Sequence, residues 1–244
     1  MPSPPPATRL WPLPLLAGLL PAAAALIALL LYAQQQGAFC NAFVDDCVSI
    51  SRMAKHGLAN HLFRVLVLPG AVLQCLTWLV AAERFAAAGR GRVAVALMLA
   101  FGLVSAATLV VYGSFLGSDG EIYRWLRRRG PLLYFGGTFV AMLAYLRCAS
   151  RRPAAHAMSL TLAQQRAMRG LMAFVAAVAL CHALASAGPF ARLEDRIENL
   201  SEWWGALALT LAFFVIARAW QTGGLVVSID QTSCSRPRTT RWPA

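Results

Sequence analysis

Six long stretches without Asp, Glu, Lys or Arg, separated by short arginine-bearing segments, constrain this chain more than any other feature. They cover residues 10–36, 65–82, 93–118, 130–146, 170–191 and 203–217. A bilayer core is crossed by about 20 mostly apolar helical residues, with roughly 17–25 as the usual range. The sixth stretch is short, but Arg218 can snorkel and the apolar residues of 219–229 can lengthen it. Backbone surrounded by lipid must satisfy its own hydrogen bonds, which leaves helices or closed barrels. Uninterrupted apolar runs lack the alternation of a barrel strand. The chain therefore reads as all-α, a polytopic transmembrane bundle of six helices. With 13% charged residues, against about 25% in a typical soluble domain, no separate soluble domain is expected.

The expected organisation is an irregular leader over residues 1–9, a six-helix transmembrane domain over 10–227, and a disordered, basic cytoplasmic tail over 228–244. Pro12, Pro14 and Pro21 are expected to bend the first half of the first helix. That apolar run is too long for the h-region of a secretory signal, which spans about 7–15 residues, so a retained first helix is expected. An even number of spans puts both termini on one side, and that side carries the larger share of Arg and Lys. Basic residues mark the cytoplasmic face, so both termini are assigned there, in a plasma or inner membrane. The run Arg127, Arg128 and Arg129 falls on the other side and opposes this bias. A net charge of +12 comes with no nucleic-acid motif. The arginines flank membrane helices, where they contact anionic lipid and set topology. Membrane lipids and membrane proteins are the expected partners, and no nucleic acid is.

Cys40 and Cys47 share the first outer loop, where an oxidising compartment would let them bridge. Asp45, Asp46, His56 and His61 lie nearby, but their spacing matches no metal-ligand motif. No cofactor fingerprint, Walker loop, His-Glu-x-x-His element or nucleophile elbow is present, and no cofactor or metal is expected.

Polar residues near the outer ends of the spans are the candidate site. His56, Asn60 and Arg64 are four residues apart and share one helical face, with Arg64 a charge anchor for a lipid head group or other anion. A solvated helix end with a snorkelling Arg accounts for the same stripe. His182 needs a polar partner or cavity inside a span, and packing against an interhelical hydroxyl would supply one. Glu198 and Glu202 open the last helix. They can pair with Arg64 or Arg196 or receive a proton, or can merely favour the positive end of the helix dipole. Convergence of Arg64, His182 and Glu202 at the outer end would build a pocket for an anionic or zwitterionic head group.

The segments CVSISRMAKHGLANHLFRVLVLPGAVL and IENLSEWWGALALTLAFF, set in six predicted spans, carry a resemblance. A Ser-Ile-Ser element (Ser49, Ile50, Ser51), a Phe-Arg pair (Phe63, Arg64) and a Glu-Trp pair (Glu202, Trp203) together resemble the FRAG/DRAM/Sfk family of six-helix membrane proteins. Val48 stands where that family usually has Pro or Tyr. Eukaryotic relatives are connected with lipid-anchor remodelling, phosphoinositide regulation and autophagy, so the resemblance implies a lipid-linked function without naming a reaction. A lipid-binding module that senses, organises or helps remodel lipids at the outer leaflet is the leading expectation. The alternatives are a membrane-embedded lipid-modifying enzyme, with His56 or His182 as base and Glu202 as orienter or acid, and a structural subunit of a larger membrane complex.

Overall fold

The computed structural model describes residues 7–150, 158–187 and 194–228. Six helices in it are long and apolar enough to cross a membrane. They are α1 (Pro12–Gln36), α3 (Gly57–Ala87), α4 (Arg92–Phe115), α5 (Glu121–Ala149), α6 (Leu162–Ala187) and α7 (Glu194–Thr222), with a single-turn α2 (Ile50–Met53) between the first two. The chain is a polytopic membrane protein built as an all-α bundle. The final span, which looked short in the sequence, occupies Asp195–Thr222 (28 residues). Its first turns carry the acidic residues of the loop face.

Neighbouring helices follow one another around the bundle in the order α5, α4, α3, α1, α7, α6. Only sparse contacts close the ring between α5 and the α6–α7 pair, which leaves a lateral seam there. Elsewhere small residues let helix axes approach, as expected where packing rather than hydrophobic exclusion drives association. At Gly102 an added Cβ would lie 2.5 Å from Trp78 Cγ, so the indole of α3 lies directly against the α4 backbone. Trp78, Phe85, Tyr145, Phe213 and Trp220 fill the core toward the termini. Leu29, Phe63, Val67, Leu116 and Trp203 fill it toward the first loop. The outer surface is apolar, with Leu30, Val65 and Leu184 more than half exposed. Polar side chains turn inward instead: Gln74, Thr77, Ser105 and Thr138 are fully buried. Their cost in lipid explains that placement.

Two short strands correct the expected ends of the domain. Ala7–Arg9 (β1), expected within an irregular leader, pairs antiparallel with Val226–Ser228 (β2), in the register Thr8 with Val227. The apolar residues after Thr222 do not lengthen α7. Gly224 (φ +64°) takes the left-handed conformation, Leu225 N–H donates to Trp220 O and Gly224 N–H to Gln221 O. This is the hydrogen-bond pattern of a helix C-terminus closed by a left-handed glycine. The ribbon then satisfies backbone groups that the helix end releases. Residues 1–6 of the leader, 229–244 of the tail, and Arg151, Arg152 and Arg192 lie outside the described residues.

Candidate functional site

The loop after α1 is stitched to the first turns of α7. Cys40 and Cys47 are bridged, which closes the loop into a small ring. Asn199 Nδ2 donates to Asp46 O (2.7 Å), Trp203 Nε1 to Val48 O (2.9 Å) and Trp204 Nε1 to Phe43 O (3.1 Å). Arg196 Nε lies 2.8 Å from Asp46 Oδ2, and the Phe43 ring packs on both Trp203 and Trp204. Arg196, Asn199 and Trp203 follow a three- and four-residue spacing, so one face of α7 meets the loop. Ser49 then caps α2 by accepting from Arg52 N–H. The next side chain, Ser51, faces Glu202.

Glu202 is 9% exposed. Its carboxylate accepts from Ser51 N–H (3.3 Å) and lies 3.5 Å from Ser51 Oγ, which in turn contacts Ser49 Oγ at 3.0 Å. No Lys or Arg pairs with it among the described residues. Two adjoining cavities meet at this residue, sharing Pro131, Phe135 and Glu202 in their walls. The inner one holds about 650 Å³ of empty space, its mouth included, and passes between α1, α3, α4, α5 and α7. Its lining is almost wholly apolar, with Pro21, Val67, Leu109 and Phe213 among the walls. Along α7 it descends from Glu202 to Phe213, about 16 Å at the helical rise of roughly 1.5 Å per residue. The outer one, about 700 Å³, lies in the seam between α5, α6 and α7 and is lined by His182, Glu198, Ser201 and Gly205. His182 is half-buried, and its Nδ1 is buried without a hydrogen-bond partner.

The structure thus gathers His182, Glu198 and Glu202 on one crevice and leaves the His56–Asn60–Arg64 stripe elsewhere. Asn60 donates from Nδ2 to both Ala54 O and Leu116 O (2.9 Å each), and Arg64 Nη2 donates to Leu116 O (2.6 Å). Together they fasten the end of α2 and the end of α4 to the start of α3. Gly117, just beyond, has φ +93°, and an added Cβ would collide with Lys55 O; no larger residue fits that clamp. Arg64 lines neither cavity, so the expected meeting of Arg64 with His182 and Glu202 does not form. Glu202 finds a serine rather than Arg64 or Arg196. His56 is exposed at the start of α3 and makes no side-chain cap.

Three contributors were not singled out from the sequence. Ser51 was read only as part of a family signal, although a serine one turn before a capped helix end is an apt donor to a carboxylate. Gln74 donates to Ala17 O (3.1 Å) and to Tyr134 Oη (3.0 Å), and Tyr134 lines the inner cavity. A Gln in the middle of an apolar run was the available signal, since such residues bond across helices. Among the described residues no group of three or more His, Cys, Asp or Glu side chains is placed to hold a metal ion.

A six-helix integral membrane protein with a lateral, acid-lined crevice is the class these features define. No protein-family model, curated protein or solved structure matches the chain.

Proposed function

We propose that this protein is a lipid-binding membrane module that admits a membrane lipid through the α5/α6–α7 seam. In this role it senses, organises or helps remodel lipids of the outer leaflet. The observation that carries the reading is the pair of adjoining cavities: an apolar one about 16 Å deep beside one lined by polar side chains near the helix ends. Such a shape suits an acyl chain with its head group at the interface. The resemblance of Ser49, Ile50, Ser51, Phe63, Arg64, Glu202 and Trp203 to FRAG/DRAM/Sfk elements supports the same reading. The basic bias of the termini side supports assigning the crevice mouth to the outer leaflet.

Mass spectrometry of the native protein purified from membranes tests it. Gly205 has room beside it, with the nearest atoms to an added Cβ being Phe135 ring carbons at 3.8 Å. Gly205→Leu and Ala206→Trp narrow the crevice from α7 and are expected to lower retained lipid several-fold while the bundle stays folded. Lipid retention equal to wild type in both folded variants would defeat the reading.

A second reading, a lipid-modifying enzyme, is favoured by one observation: His182, Glu202 and Ser51 cluster around the crevice mouth. It predicts a mass change in a lipid incubated with purified protein, abolished by His182→Ala.

A further inference from the structure

The polar end of the crevice has a definite sign. Glu198 and Glu202 both line the outer cavity, and among the described residues no Lys or Arg lines either cavity. Two arginines near these walls are engaged elsewhere, Arg64 with Leu116 O and Arg196 with Asp46. Glu202, nine-tenths buried, presents a carboxylate whose donors among the described residues are the backbone N–H groups of Ile50 and Ser51 and the Ser51 hydroxyl. A buried carboxylate without a counter-charge is costly in a low-dielectric site. His182 lines the same wall, with its Nδ1 buried beneath the cavity surface.

Resting on the lipid-binding reading above, we infer that the lipid held in this crevice carries a primary ammonium head group. The ammonium sits against Glu202 and Glu198, and the chain runs down the apolar cavity toward Phe213. A primary ammonium brings three N–H donors and one positive charge. Those donors match the two carboxylates, and the charge supplies what the described lining residues lack. A quaternary ammonium brings no N–H donor and would add no hydrogen bond to either carboxylate. A lipid whose head is only anionic would meet two like charges with no basic side chain among the described lining residues to offset them. A bare divalent cation is the poorer occupant, because the described residues offer no cluster of three ligating side chains.

The test uses the full-length protein, delipidated in mild detergent and offered equal amounts of dioleoyl phosphatidylethanolamine and dioleoyl phosphatidylcholine, with bound lipid counted by native mass spectrometry. Hydrogen bonds to charged groups contribute enough that wild type is expected to favour the primary amine by about tenfold or more. Glu202→Gln keeps the side-chain shape and is expected to bring that ratio close to one without lowering total bound lipid. Glu198→Gln, at an exposed position, is expected to reduce the ratio in part and decides the matter if Glu202→Gln fails to fold. Equal retention of the two lipids by wild type, or an undiminished preference in the folded variants, overturns the ammonium assignment and leaves lipid binding standing. Failure of wild type to retain either lipid overturns both.

Discussion

Asn60 donates to two backbone carbonyls from segments far apart in sequence, Ala54 and Leu116. Its amide therefore satisfies the ends of two helices at once, where freed carbonyls near the membrane would otherwise lack donors. Asn60→Leu preserves volume but removes the donor to Ala54 O and leaves Leu116 O with Arg64 alone. A loss of about 1–2 kcal/mol is expected, in line with buried hydrogen-bond deletions, and measurable by detergent-induced unfolding. Arg64→Ala is expected to destabilise in the same assay while leaving lipid occupancy at wild-type level, because its guanidinium lines neither cavity. Reduced occupancy in a fully folded Arg64→Ala protein would return Arg64 to the head-group site. At Gly102 a methyl group must displace the Trp78 indole. Gly102→Ala is thus expected to cost about 1–3 kcal/mol by overpacking, read in the same unfolding assay.

At the scale of elements, the first loop is the part whose conformation owes most to distant residues. Residues 41–54 contain a single turn of helix of their own, and α7 supplies five side chains that hold them: Arg196, Asn199, Glu202, Trp203 and Trp204. The Cys40–Cys47 bridge shortens the span of chain that must be ordered for these contacts to form. Cys47→Ser is expected to lower stability by about 2–3 kcal/mol on the chain-entropy account of a small ring. Hydrogen exchange should show where that loss is felt. Faster exchange is expected across 41–54, including Ser51 N–H on Glu202, with little change in α4. Uniform acceleration across the whole bundle would contradict a locally docked loop. Gly224 and the β1–β2 pair have a similar role at the opposite face, turning apolar residues that could have prolonged α7 into a ribbon with the segment before α1.

For the whole molecule, six spans and the pairing of β1 with β2 require both ends of the chain on one face of the membrane. Reporter fusions near Thr8 and near Gln231 should therefore give the same sidedness, and insertions near Arg90 and Asp119 should give opposite sidedness. Any other pattern removes the topology. The ring of helices has one weak closure, between α5 and the α6–α7 pair, and the crevice lies along it. Spectroscopic distance measurements between labels on exposed Leu132 of α5 and Leu180 of α6 should give a broader distribution than a pair across the well-packed α4–α5 contact. Added phosphatidylethanolamine is expected to narrow it.

Span number, fold class and the bridged loop were legible because each depends on local quantities: run length, charge spacing and two cysteines in one loop. Hydrophobic length fixes a helix without reference to its neighbours, since lipid forces backbone bonds to close within the segment. Partnerships across the bundle were not legible. Arg64, His182 and Glu202 all lie near the same face in sequence terms, yet only His182 and Glu202 share a cavity. Which helices become neighbours, and how each is rotated, depends on the fit of small residues such as Gly102 against large ones such as Trp78. Those fits are properties of paired surfaces. The sequence by itself therefore determined that this chain crosses a membrane six times as helices. The tertiary structure alone decided that Arg64 clamps a helix end while Glu202 stands at the mouth of a crevice without a basic partner among the described residues.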